Sequence, residues 1–267
     1  MTWEEAVLWL RQQPDKAELV RDCFFDDPLN AAAERYYKST EWQAVRKLLP
    51  NPLGKALDLG AGRGISSYAL AKEGWQVVAL EPDKSAVVGA GAVRALALES
   101  GLPISVVEEW GESLPFSDES FDLVHCRQVL HHARNLFQLC GEIGRVMKKN
   151  GTFIATREHV ISKHEDLKKF LEVHPLHHLY GGEHAYLLKE YNSAITRAGI
   201  RLIHILNPFQ SDINLYPDTI NGLKVHLAKR MMFPWPQLIP NLLLTILGSV
   251  IKTPGRIYTF IGKKYSG

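Results

Sequence analysis

Asp58-Leu59-Gly60-Ala61-Gly62-Arg63-Gly64 closes an apolar, strand-like run and opens a helical one. Glycines at alternate positions let a backbone turn sharply and approach a ligand closely. A helix starting near Ile65 aims its unpaired N–H groups at the same place. Two cofactor classes use such a loop. A dinucleotide site asks for GxGxxG or GxGxxA, and the sixth position here is Ile65. An acid before the loop would repel a pyrophosphate, whereas it suits a ligand with a cationic amino group, such as S-adenosylmethionine. Asp58 therefore favours S-adenosylmethionine. Glu81, at the end of the next apolar run, can accept two hydrogen bonds from a ribose diol. Both ligands share that need, so Glu81 does not choose between them.

Outward from this loop, short apolar runs alternate with amphipathic stretches. The runs are 56–59, 76–80, 104–107, 123–126, 152–156 and 202–206, and helical spacing appears over 65–73, 85–100, 136–148 and 188–198. The alternation predicts a doubly wound α/β fold with a parallel sheet covered on both faces. Residues 1–52 read as an N-terminal helical segment. Thr2 is a cap for the first helix, and Asn30 a cap for a longer helix running through Tyr36, Tyr37, Trp42 and Leu48. The core is expected over 53–208, with an acceptor-side insertion at 159–186. A helical insertion at 209–255 follows, and the last strand lies in 256–267.

Four blocks then stand in order. They are the loop 56–64, Ala79-Leu80-Glu81-Pro82-Asp83, the stretch from Gly111 to Val124 containing Leu114-Pro115-Phe116, and Gln128-Val129-Leu130-His131-His132. Over roughly residues 54–157 the chain resembles the class I S-adenosylmethionine-dependent methyltransferases, within the group that includes the ubiquinone/menaquinone-biosynthesis enzymes. The resemblance implies a Rossmann-like, seven-stranded sheet with an antiparallel last strand, for which 257–261 is the candidate. It implies that Asp58, Gly60, Ala61, Gly62 and Gly64 hold the methionine end of the cofactor and that Glu81 and Pro82 hold the ribose. Trp110, Gly111 and Glu112 would border the adenine, and Arg127 and Gln128 would lie under the sulfonium. Trp110 departs from the family, which usually has an aspartate there; an indole cannot accept a bond from the adenine amino group. Stacking by Trp110, or an acceptor supplied by Glu109 or Glu112, is expected instead. Related enzymes fold an N-terminal helix over the cofactor, which makes Tyr36 a candidate for a cation–π contact with the sulfonium.

Methyl transfer from an activated sulfonium is an in-line displacement, and positioning can supply ~7–11 kcal/mol of it. A base is needed only for an acceptor such as a neutral hydroxyl, and histidine is then the default. The chain has 11 histidines, and they cluster after the fourth and fifth strands and in the first insertion. Ligands in open α/β sheets bind beyond the C-terminal strand ends. His159 or one of His177 and His178 is the expected base, oriented by Glu158 or Glu183. No metal is expected: His174 and His178 have i,i+4 spacing, but Pro175 interrupts the helix between them.

Bulk properties add limits. The net charge is +2, which gives no argument for nucleic acid as a partner. Cys23, Cys126 and Cys140 form no CxxC pair, so a reducing, cytoplasmic setting fits. The N-terminus has no basic region followed by an apolar run, so no signal peptide is expected. The apolar stretch 238–251 is shorter than the ~20 residues of a membrane span. Packing on the sheet is its expected role. A peripheral membrane or self-association contact through 233–251 is the alternative. The expected reaction is methyl transfer to a small-molecule or glycan/lipid-linked acceptor. The competing readings are an NAD-dependent oxidoreductase and a non-catalytic protein that binds S-adenosylmethionine.

Overall fold

The structure, a computed structural model, describes residues 1–265. Its strands are β1 (Lys55–Leu59), β2 (Gln76–Leu80), β3 (Ile104–Val107), β4 (Phe121–Arg127), β5 (Met147–Ile161), β6 (Tyr186–Leu187), β7 (Ile200–Leu206) and β8 (Arg256–Lys264). They form one sheet in the order β3-β2-β1-β4-β5-β8-β7, with the two-residue β6 added beside β5. The pairings among β1 to β5 are parallel. β8 runs antiparallel to both β5 and β7. This is the doubly wound sheet the alternating pattern predicts, with its final strand reversed. The short β6 has no apolar period of its own and is invisible to a period-two reading.

The strands at the centre are apolar on both faces because helices cover both. On one face the helix Leu136–Val146 and the helix Leu188–Arg197 pack through Leu139, Ile143, Ala194 and Ile195. On the other, Ile65–Lys72 is buried along seven successive residues. It lies between the sheet and the N-terminal helix Leu29–Lys38, in one cluster with Tyr36, Trp42, Leu70 and Trp75. An amphipathic stripe would leave one side of that helix wet, so its near-continuous apolar character follows from being covered all round.

Three expectations need correction. Thr2 caps the first helix in a full capping box with Glu5. Asn30, however, lies inside Leu29–Lys38, and Pro28 takes the cap position. That helix stops at Ser39, whose hydroxyl accepts from the Trp42 amide at 3.1 Å and starts a separate helix, Thr40–Arg46. The expected single helix is therefore two, because the serine offers the backbone a new cap. The insertion after β7 is helical as expected, but its apolar helix Asn241–Val250 is not packed on the sheet: only Leu244 and Gly248 are buried. Leu242, Ile246 and Val250 are 68%, 51% and 62% exposed, beside exposed Met232, Trp235 and Leu238. Among the described residues no helix is long and apolar enough to cross a membrane.

Candidate active site

β1 and β4 are neighbours, and β1 sends the chain towards β2 while β4 sends it towards β5. The crevice at their C-terminal ends is where such sheets bind ligands. Gly60, Gly62 and Gly64 hold φ of +67°, +54° and +84°, a region open to glycine at little cost. The Gly60 and Ala61 amides donate to the Leu80 carbonyl at 2.8 and 3.0 Å, which folds the loop over β2. Gly64 caps the helix Ile65–Lys72.

Asp58 is an anchor for this loop. Register places it opposite His125 of β4. One carboxylate oxygen stands 2.9 Å from His125 Nδ1, and the other accepts the Ser67 hydroxyl at 2.6 Å. His125 was not legible as a site residue, although one histidine in the apolar run 123–126 is a signal for a buried partner.

Glu81 closes the other side. Its two oxygens accept the amides of Gly62 at 2.7 Å and Asp83 at 3.0 Å. Burial pushes its carboxyl up to about 7, although both amides pull the other way. Each oxygen keeps a second lone pair, the number a ribose diol requires. Pro82 follows at the half-exposed mouth. A Cβ built on Gly62 would meet nothing nearer than the Trp3 ring at 3.7 Å, so the loop faces a small cradle beneath an indole. The Tyr36 hydroxyl is buried without a hydrogen-bond partner, on the face of the glycine helix. Tyr37 is turned outward, with Lys72 4.4 Å from its ring. The diol-ready carboxylate and the backbone cradle fit an adenosyl cofactor, whereas Tyr36, fully buried with the Arg127 guanidinium 5.4 Å from its ring, does not offer the expected cation–π contact.

At the adenine end Trp110 is 53% exposed, with the Arg134 guanidinium 4.7 Å from its ring. It is free to stack and is not a core residue. A Cβ on Gly111 would come within 2.6 Å of Leu139, so glycine lets this loop lie against the helix behind it. Glu112 accepts the Arg134 amide at 2.9 Å, and one Glu109 oxygen accepts the Trp110 amide at 3.0 Å.

Beyond β4 the placement differs from expectation for Arg127. Its guanidinium is taken up by Glu41, with bonds of 2.6 and 2.9 Å, beneath Tyr36 and Phe24. It braces the N-terminal helices against the sheet instead of facing a ligand. Gln128 has φ +58°, which turns the chain so that Val129 packs over Gly60.

Beyond β4 and β5 lies a buried histidine cluster. Glu158 accepts the amides of Val129, Leu130 and His131 at 3.0 to 3.1 Å and meets His131 Nδ1 at 2.7 Å. It therefore orients His131 and not His159. Burial opposes charge on His131, but Glu158 and Glu183 outweigh it and raise its pKa to about 9. His159 donates through Nδ1 to the Gly255 carbonyl at 2.8 Å. Burial and the His131 cation hold it down to about 3. Glu183 receives the Tyr180 hydroxyl at 2.9 Å. Burial would raise its carboxyl, but His131, His132 and His174 bring it to about 2. His178 does not join this group: it is exposed, with Nε2 2.8 Å from the Glu172 carbonyl. His177 also lies outside it, with its amide towards His174 Nδ1 at 3.4 Å. Sequence spacing places His131 in the block 128–132 and pairs His174 with His178, but does not bring His131 and His174 to Glu183.

A roof covers both halves. Trp3 stacks on Tyr180 with centroids 6.1 Å apart. Val7, Leu10, Val20, Phe25 and Val88 form one apolar cluster with Leu176 and Leu179 of the insertion. The first helix and the insertion thus meet above the glycine loop.

Comparison with known proteins agrees with this geometry. Residues 57–155 match the model of a methyltransferase domain. An uncharacterised methyltransferase of Bacillus subtilis, YcgJ, is 32% identical over 101 residues, and the match spans 38% of this chain and 39% of that relative. A ubiquinone biosynthesis O-methyltransferase of Agrobacterium fabrum is 27% identical over 172 residues, covering 61% of this chain and 68% of its own length. The crystal structure of YcgJ superposes with a TM-score of 0.57 at 18% identity, over 88% of this chain and 100% of that one. A geranyl diphosphate methyltransferase solved with S-adenosylmethionine gives 0.60 at 13% identity, over 90% of this chain and 91% of that one. None of this favours the dinucleotide reading. Loop, diol-ready acid, reversed last strand and domain match agree: residues 57–155 form a methyltransferase domain on a Rossmann-like sheet, with S-adenosylmethionine as its cofactor.

Proposed function

We propose that this protein transfers the sulfonium methyl of S-adenosylmethionine to a hydroxyl of a small-molecule or glycan/lipid-linked acceptor held at the histidine cluster. The observation that carries the reading is the wall formed by His131, His132, His159, His174 and Glu183 beyond β4 and β5, next to the glycine loop. The cofactor supplies an activated methyl group. The chain's part is alignment, exclusion of water by the roof, and removal of the hydroxyl proton. His159, held neutral, turns its Nε2 to the cluster with Glu183 beside it, where the two position the acceptor hydroxyl, and the half-exposed His132 passes its proton to solvent. Glu158 holds His131 through Nδ1 and so shapes the wall.

Turnover of radiolabelled S-adenosylmethionine with sugars, quinols and lipid-linked saccharides tests this. His159→Ala and Glu183→Gln are each expected to reduce transfer by ~10²–10⁴-fold. Cofactor affinity should stay within threefold of the parent, roughly 0.7 kcal/mol. Full turnover in both variants would sink the role of this wall in transfer.

We further propose that the exposed apolar helix Asn241–Val250 rests on a membrane surface, which suits a lipid-linked acceptor. Residues 219–255 contain Lys224, Lys229, Arg230 and Lys252 and no acid, a charge balance that complements anionic headgroups. Co-sedimentation with phosphatidylglycerol-containing vesicles is expected for the parent and lost in Leu243→Asp/Ile246→Asp. If the parent stays in the supernatant, or forms a dimer through this helix instead, the membrane role is excluded.

A further inference from the structure

Glu183 is only 7% exposed, yet its Oε2 has no hydrogen-bond partner. Three imidazole Nε2 atoms surround that oxygen: His131 at 3.7 Å, His174 at 3.9 Å and His132 at 4.0 Å. These spacings are too long for hydrogen bonds. Buried groups free to pair would close to ~2.8 Å. Ligand atoms at ~2.0–2.2 Å from a tetrahedral metal stand about 3.3–3.6 Å apart, close to the 3.7 Å between His131 Nε2 and Glu183 Oε2.

Donor atoms of His131, His159 and Glu183 all lie within 4.8 Å of one another. Each has its other polar atom held from behind. His131 Nδ1 faces Glu158 at 2.7 Å, His159 Nδ1 faces the Gly255 carbonyl at 2.8 Å, and Glu183 Oε1 takes the Tyr180 hydroxyl at 2.9 Å. A carboxylate or carbonyl behind each ligating histidine is the usual support of a metal site. It fixes the ring and leaves Nε2 to the ion. His132 is similarly held, with Nδ1 3.0 Å from the Gly182 carbonyl, and its side chain is 38% exposed on the open side.

We propose that His131 Nε2, His159 Nε2 and Glu183 Oε2 bind a divalent first-row transition ion, leaving a position open towards the cofactor loop. Two imidazoles and one carboxylate suit zinc, iron(II) or manganese(II) better than magnesium or calcium, which prefer all-oxygen sites. The open position would take the acceptor hydroxyl. The bound ion favours the alkoxide, and the hydroxyl proton leaves through half-exposed His132 to solvent. The oxygen then forms its bond to the methyl carbon as the S–CH₃ bond breaks, releasing the neutral thioether. This rests on the methyl-transfer reading above for its use, but not for its test.

The metal-free chain, stripped by chelator and desalted, is titrated calorimetrically with ZnCl₂ and separately with MnCl₂. Binding of one equivalent of either ion is expected. Glu183→Gln and His159→Ala should weaken it at least ~10-fold, and Glu158→Gln, which removes only the support, by ~10–100-fold. Zinc-edge X-ray absorption should show two imidazoles and oxygen ligands. Affinity for S-adenosylmethionine, measured on the same samples, reports whether each variant is folded. Should a variant lose that too, the absorption spectrum of the parent alone decides. Absence of saturable binding, or binding unchanged in Glu183→Gln and His159→Ala, overturns the site. If the chain binds the ion but not S-adenosylmethionine, the function reading fails and the metal site stands.

Discussion

Replacing Arg127 with methionine is expected to destabilise the fold by about 3–5 kcal/mol, the usual loss when one partner of a buried ion pair is removed. Glu41 is fully buried, and Arg127 supplies both of its close bonds, at 2.6 and 2.9 Å. The next cation, Arg157, stands 4.0 Å away and is turned to the carbonyls of Ile213 and Tyr216. Methionine would therefore leave a carboxylate in an apolar space under Tyr36 and Phe24. Replacing both members, Arg127→Met with Glu41→Leu, should recover most of the loss, because a packed apolar pair removes the desolvation cost along with the attraction. Urea denaturation followed by circular dichroism measures both. Equal stability of Arg127→Met and the parent would show that Glu41 finds another partner.

The second large effect concerns the cofactor. Glu81→Ala is expected to weaken S-adenosylmethionine binding about 100-fold, from the loss of two charge-assisted bonds to the ribose at ~1.5 kcal/mol each. The parent should also show a pH profile. Its Glu81 carboxyl is raised to about 7 in the empty site, and the diol is best accepted by the ionised form. Affinity should then be about tenfold lower at pH 6 than at pH 8. Stability of the cofactor-free chain runs the other way. A carboxyl whose pKa is higher folded than unfolded contributes its full share below about 4.5 and loses it as pH rises towards about 7. Isothermal titration at both pH values, with Glu81→Gln as the pH-insensitive control, separates this carboxyl from the histidines. A flat profile in the parent would show that the ribose does not depend on Glu81 ionisation.

Much of the sheet was legible because parallel strands covered on both faces are short, apolar and bounded by glycine. The runs 76–80 and 104–107 match β2 and β3 residue for residue. The glycine loop and Glu81 were legible because backbone chemistry fixes their spacing. What escaped depends on contacts between distant segments. Nothing near His131 announces that Glu158 will hold it, and nothing near Trp3 points to Tyr180. Arg127 was placed by its position after β4, whereas its side chain followed the nearest buried acid. The helix Asn241–Val250 departs from the expected packing because apolar residues on every side do not say which side is covered.

The stack of Trp3 on Tyr180 has a kinetic meaning. The indole belongs to the cofactor side and the phenol to the acceptor side, so one clasp guards two doors. On the proposed reading, release of the used cofactor and of the methylated product both require it to loosen. Exchange of the two is thereby expected to be ordered and paced by opening, in the manner of lid-gated enzymes.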